Sequence, residues 1–123
     1  MATINAVALT KETFVVTTPV ATAVGGDVLA IPNTNCDVMI NFANDAAGAV
    51  VPTIANNLAA AFDTGTYGNV EKADLSLSIA AGVTRTVWIP RAILQHYLNG
   101  SNQIPLTYAS HDVAFKVAAF YIA

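Results

Sequence analysis

Apolar side chains recur at every second position over much of the chain. Cys36, Val38, Ile40 and Phe42 alternate with Asp37, Met39 and Asn41, and Leu75, Leu77 and Ile79 alternate with Asp74, Ser76 and Ser78. Successive side chains of a strand point to opposite faces, so this pattern predicts strands with one buried and one wet face. Met39 weakens the first alternation on its outer face, while the second is clean. Further strands are predicted over residues 14–17, 28–31, 50–55, 85–89, 104–108 and 113–122. Turn-forming residues separate them: Gly25-Gly26, Pro32-Asn33, residues 44–48, residues 65–69 and Ala81-Gly82. About eight short strands at this spacing predict an all-β fold, a β-sandwich or jelly-roll-like domain.

One stretch departs from period two. Within residues 90–100, Ile93, Leu94, Tyr97 and Leu98 fall at helical spacing, with Pro90 at the start and Asn99-Gly100 at the end. A proline suits the first helical position and Asn-Gly a left-handed cap, so one short helix is predicted over an open end of the sandwich. Residues 59–62 are read as a further helical turn.

The two chain ends carry the most suggestive patterning. Residues 2–9 are uncharged and mildly alternating, so the first twelve residues read either as an internal edge strand or as an arm reaching onto a neighbour. The last strand finishes Ala118-Ala119-Phe120-Tyr121-Ile122, apolar on both faces. A strand of a two-layer sandwich has one wet face. Phe120 and Ile122 are therefore to be covered either by the short helix or a loop, or by something beyond the protomer. Ile4, Val7, Leu9, Phe120 and Ile122 are the candidate interface residues on this reading.

Composition sharpens the picture. In 123 residues, room for a single domain, charged side chains make up 11% and apolar ones 54%. Ordinary domains carry about 25% charged residues. Five basic and eight acidic groups must cover the surface, leaving much of it to Ala, Thr, Ser, Asn and apolar atoms. Such a surface suits a chain that lives against copies of itself or a large partner. A net charge of −3 speaks against a nucleic-acid partner, which needs a basic footprint. Residues 1–10 have no positive charge ahead of an apolar run, so no signal peptide is expected and synthesis in a cytoplasm is the default. The longest uncharged stretch, residues 46–62, is interrupted by Pro52, Asn56 and Asn57 and does not read as a membrane span.

No catalytic residue, cofactor site or metal site is assigned. Ser110-His111-Asp112 holds the letters of a triad, but consecutive residues diverge in a strand or turn and cannot form a nucleophile–base–orienter chain. His96 is expected to cap the helix or face solvent. The single cysteine, Cys36, shares register with apolar residues and reads as a small buried hydrophobe. Residues 63–71 are the nearest approach to a calcium loop, without the acidic density one needs. Trp88 points away from the better apolar face of its strand. It is expected to pack under the helix with Tyr97, whereas an exposed pair of Tyr67 and Trp88 would form a platform for sugars.

With the strands placed, a resemblance can be stated. The hairpin over residues 74–90, in which an alternating strand runs into Ala80-Ala81-Gly82-Val83-Thr84-Arg85 and then a strand ending at Pro90, resembles a pattern of small virion proteins of tailed bacteriophages. Residues 106–122 look like their last hairpin, and residues 34–54 like their strand, Asn-x-Ala-Ala-Gly, strand unit. The likeness spans roughly residue 28 to the C-terminus. It implies a capsid decoration (cement) protein, often trimeric, that sits on the outer surface of the virion capsid and binds the major capsid protein. The resemblance carries no defined binding residues. The alternatives are a tail or head-completion component of the same fold and a carbohydrate-binding or adhesin-type module built on Tyr67 and Trp88.

Overall fold

The computed structural model describes residues 2–10, 19–32, 34–56, 62–63, 69–70 and 74–122. They form an all-β sandwich whose element order is β1 (Ala2–Asn5), β2 (Val7–Ala8), β3 (Val20–Ala21), β4 (Asp27–Ala30), β5 (Asp37–Asn44), β6 (Val51–Ile54), β7 (Phe62–Asp63), β8 (Asn69–Val70), β9 (Leu75–Ser76), β10 (Thr84–Ile89), β11 (Gln103–Ala109) and β12 (Phe115–Ile122). A 3-10 turn at Leu94–Tyr97 lies between β10 and β11. The first sheet runs β1-β4-β11-β6-β9, and the second runs β10-β5-β12-β2 with β3 also paired to β12. The predicted strand over 14–17 and helical turn over 59–62 involve residues outside the described set, apart from Phe62, which starts β7.

The alternation read along the chain is what holds the layers together. Along β5, Val38, Ile40, Phe42 and Asn44 are buried while their neighbours are half-buried. β12 pairs with β5 over its whole length, from Phe115 opposite Asn44 to Ile122 opposite Asp37. Inner-face residues of both sheets merge into a single core: Leu29, Ile104 and Leu106 from the first, Ile40, Phe115 and Val117 from the second. Phe115 stacks on Phe42 of the neighbouring strand at 5.8 Å and meets Tyr108 of the opposite sheet edge-on at 5.6 Å, tying the layers.

The N-terminal stretch belongs to its own protomer. β1 pairs parallel with β4, placing Ile4 beside Leu29 in the core, and Ala6 N then donates to Ala30 O at 3.1 Å. The chain crosses to the other layer there, and β2 pairs parallel with β12. A strand that changes sheets makes a corner of the sandwich. The arm reading is thereby replaced, and Ile4 leaves the list of interface candidates because the core takes its side chain.

Two other expectations shift. Leu75, Leu77 and Ile79 were read as one buried face, yet only Ile79 is buried and Leu77 is 56% exposed. β9 and β6 pair at Thr53–Ser76 and Ile54–Leu75, and again at Val50–Ile79 in the same register, with a gap between. Pro52 sits in that gap and has no N–H to give the ladder, so the strand peels away beside it. The predicted helix is reduced to a 3-10 turn that buries Leu94, His96 and Tyr97 in the end of the core. His96 is thus inside, not facing solvent.

Buried polar groups secure one end of the sandwich. Asn44 Nδ2 donates to Ile79 O at 2.7 Å and Gly48 O at 2.9 Å, while its Oδ1 accepts Ala46 N at 3.0 Å. Asn44 O accepts Gly82 N at 2.7 Å, anchoring the turn in which Val83 N bonds Ala80 O and Gly82 has φ +76°. The fully buried Asp27 accepts the Tyr108 hydroxyl at 2.7 Å and Ala23 N at 3.2 Å. Burial first, then the bond to Asp27 and its charge, hold the Tyr108 hydroxyl far above the ordinary tyrosine range.

Two stability predictions follow from this end. A Cβ on Gly82 meets nothing within 4 Å, so Gly82→Ala costs only the left-handed backbone penalty, about 1–2 kcal/mol. A Cβ on Gly26, at φ +93°, falls 2.6 Å from the Leu106 carbonyl oxygen, so Gly26→Ala destabilises more in urea melts of the two variants. The folded-state pKa of Tyr108 lies above the unfolded value of about 10, so its contribution is whole below pH 10 and is lost as pH rises further. Urea stability should therefore fall above about pH 10, and less steeply in Tyr108→Phe.

Candidate functional site

The register of the second sheet assembles an apolar row on its outer face. Trp88 is paired with Met39, Met39 with Phe120, and Phe120 with Val7, crossing β10, β5, β12 and β2 in turn. Side chains of directly paired residues share a face, so the four stand side by side. Trp88 is 54% exposed, and Met39, Phe120 and Val7 are half-buried. Ile122, also half-buried, stands one row along, opposite Asp37. Leu9 N donates to Tyr121 O at 2.9 Å, extending the β2 ladder so that half-buried Leu9 flanks Ile122 at the edge. Four of the five interface candidates, Val7, Leu9, Phe120 and Ile122, are thus brought to one edge of the second sheet. Met39, read only as a flaw in an alternation, is its centre.

Trp88 does not pack under the helical segment. Tyr97 is fully buried there, whereas Trp88 faces outward on the edge strand. Tyr67 lies outside the described residues, so the aromatic pair has one described member.

Charges bracket the row. Arg91 and Asp37 form an ion pair at 3.5 Å beyond it, reinforced by Arg91 N donating to Asp37 Oδ1 at 2.8 Å. Lys116, opposite Ala43, lies on the other side. Between Lys116 and the apolar row, the Thr86 hydroxyl donates to Asn41 Oδ1, so a polar rung separates them. The outer face of the first sheet is more mixed. Thr107, Thr53 and Ser76 are paired across it, with Thr53 Oγ1 donating to Ser76 Oγ at 3.3 Å; Thr3, Val28 and Pro105 form the next row, and Asn5, Ala30 and Gln103 the one beyond. Hydroxyl and amide groups there alternate with half-buried Val28, Pro105 and Val51. The row on the second sheet is aromatic and aliphatic throughout.

A second feature opens at the sandwich edge where β9 and β10 end their sheets. Here lies an apolar groove of about 200 Å³, lined by Phe42, Pro52, Ile54, Leu77 and Val87, with Arg85 at its rim. The displaced β9 beside Pro52 leaves it open.

The remaining sequence candidates do separate work. Thr22 Oγ1 donates to Phe115 O at 2.6 Å, so its 2.8 Å contact with His111 Nε2 is a bond the imidazole donates. Asp112 Oδ1 accepts Ala114 N at 2.8 Å and Asp112 O accepts Phe115 N at 3.0 Å, making a turn. Ser110 takes φ +57° ahead of it. His111 and Asp112 are therefore engaged with different strands. Burial raises the Cys36 thiol, outweighing the pull of Arg91, which disfavours the reactive thiolate. Strands β7 and β8 pair antiparallel, Phe62 with Val70 and Asp63 with Asn69, and most of the 63–71 stretch lies outside the described residues. Among the described residues there is no group of three or more His, Cys, Asp or Glu able to hold a metal, and no helix long and apolar enough to cross a membrane.

No family model, no curated protein and no solved structure matches this chain.

The row makes a prediction for the isolated protein. Trp88 should emit like a solvated indole, open to quenching by acrylamide. Trp88→Ala should lower stability by no more than about 1 kcal/mol in urea, since an exposed side chain contributes little to the core.

Proposed function

We propose that this protein is a non-enzymatic structural component of a virion. On this reading it decorates a bacteriophage capsid on its outer surface, binds the assembled lattice of the major capsid protein and acts as a homotrimer. The observation that carries the reading is the row Trp88–Met39–Phe120–Val7 on the outer face of the second sheet, in a chain with only 11% charged residues. Interface cores are enriched in Trp, Phe and Met and depleted of charge, with a polar rim, and this face has that make-up. The hairpins over residues 34–54, 74–90 and 106–122 supply the link to capsid decoration through their resemblance to small virion proteins.

The physics of cementing fits such a face. A protein that binds assembled lattice and not loose subunits stabilises the shell by mass action. Joining several copies turns weak single contacts into tight attachment through effective concentration. With apolar burial as the main term, attachment should change little with ionic strength.

Co-sedimentation with empty, expanded capsid shells tests this. The wild-type protein should pellet with shells at both low and high salt. Phe120→Asp and Trp88→Ala should weaken binding by roughly 30-fold or more, the effect of about 2 kcal/mol at an interface centre. A chain that stays in the supernatant, or a steep loss of occupancy with salt, would contradict the reading.

The exposure of Trp88 supports one other reading, a carbohydrate-binding or adhesin-type module in which an indole stacks on a sugar ring. A saturable change in Trp88 fluorescence with soluble glycans, without any binding to shells, would favour it.

A further inference from the structure

The groove between β9 and β10 and a feature at the end of the sandwich are complementary. Val113 is 75% exposed at the tip of the turn between β11 and β12, held out by the bonds from Ala114 N and Phe115 N to Asp112. Val24, 82% exposed, stands at the same end, because Thr22 N and Oγ1 both bond Phe115 O and Oγ1 also meets His111. Two carboxylates flank the Val113 tip. Asp112 precedes it, and Asp45 is brought alongside by its N–H donating to Ala114 O at 3.3 Å. The next residues of that loop, Ala47, Gly48 and Ala49, are small and exposed, so another surface can approach closely.

The groove answers each of these properties. It is apolar, and its volume of about 200 Å³ exceeds a valine side chain. A cavity of roughly 150 Å³ already holds benzene. At its rim Arg85 is exposed, and among the described residues its guanidinium reaches only the Thr84 carbonyl, at 3.4 Å. An acidic, valine-tipped, rigid turn therefore matches a basic-rimmed apolar groove on the same molecule.

We infer that copies of this chain associate head to tail, the 112–114 tip of one entering the β9–β10 groove of the next with Asp112 and Asp45 facing Arg85. A contact between two different patches of one chain closes into a ring when the rotation allows. The tip is held by its own hydrogen bonds before it binds, so little ordering entropy opposes insertion. This inference rests on the self-association in the proposed function and not on capsid binding. The row Trp88–Met39–Phe120–Val7 belongs to neither patch and stays available for the shell.

The test uses two exposed positions, so neither variant threatens the fold. Sedimentation velocity of the wild type should give an oligomer, and Val113→Asp and Arg85→Glu should each give monomers. Each variant keeps one intact half of the contact: Val113→Asp has the groove and Arg85→Glu has the tip. Mixed in equal amounts they should form dimers and go no further. A monomeric wild type, oligomers that survive both changes, or a mixture that stays monomeric would each overturn the inference. Shell co-sedimentation of the same variants separates the outcomes: wild-type rings that fail to pellet contradict capsid binding alone, and wild-type monomers that pellet contradict the ring alone.

Discussion

The pairing of β12 with β5 is the constraint on which the rest of the structure depends. It runs eight residues in continuous antiparallel register and lies at the centre of the second sheet. Because side chains alternate, that one register sends Val38, Ile40, Phe42, Phe115 and Val117 inward and leaves Met39, Phe120 and Ile122 outside. A slip by one residue would exchange the two sets. β10, β2 and β3 add to this pair, and the apolar row exists because the β10 and β2 ladders carry the same register outward from it.

The same pair explains why the second sheet keeps an apolar outer face. A two-layer sandwich buries one face of each sheet, and the outer face of the first mixes hydroxyl and amide side chains with half-buried Val28, Val51 and Pro105. The second keeps Trp, Met, Phe and Val at its surface. Burial of that face in the chain is incomplete, so part of its transfer from water, worth roughly 25 cal/mol per Å² of apolar area, is not realised within the chain. The charged groups around it are Lys116 on one side and Arg91 with Asp37 on the other, and under the proposed function they would orient a partner more than hold it.

Local signals made the fold largely legible before any coordinates. The alternation over residues 36–42 became β5, the strands predicted over 85–89, 104–108 and 113–122 became β10, β11 and β12, and the Ala81-Gly82 turn stands where its residues put it. What escaped depended on partners distant along the chain. Asp27 gives no hint of burial until Tyr108, far along the chain, supplies its hydroxyl. Residues 2–8 are too short to announce that they serve two sheets, and that service turned Ile4 from an interface candidate into core. Leu77 follows a clean alternation yet is exposed, because Pro52 on the neighbouring strand breaks the ladder. The site was half visible. Phe120 and Ile122 drew notice as a doubly apolar strand end, whereas Trp88 was expected under a helix, and only the cross-strand register joins it to them through Met39.

Under the proposed function, the outer face of the second sheet is a protein-binding surface for an assembled shell. Cryo-electron microscopy of capsid shells saturated with the protein tests it most directly. The account predicts density in which Trp88, Met39 and Phe120 are buried against the major capsid protein and the Thr53–Thr107 face points to solvent. Density with the opposite face on the shell, or shells left bare, would contradict it.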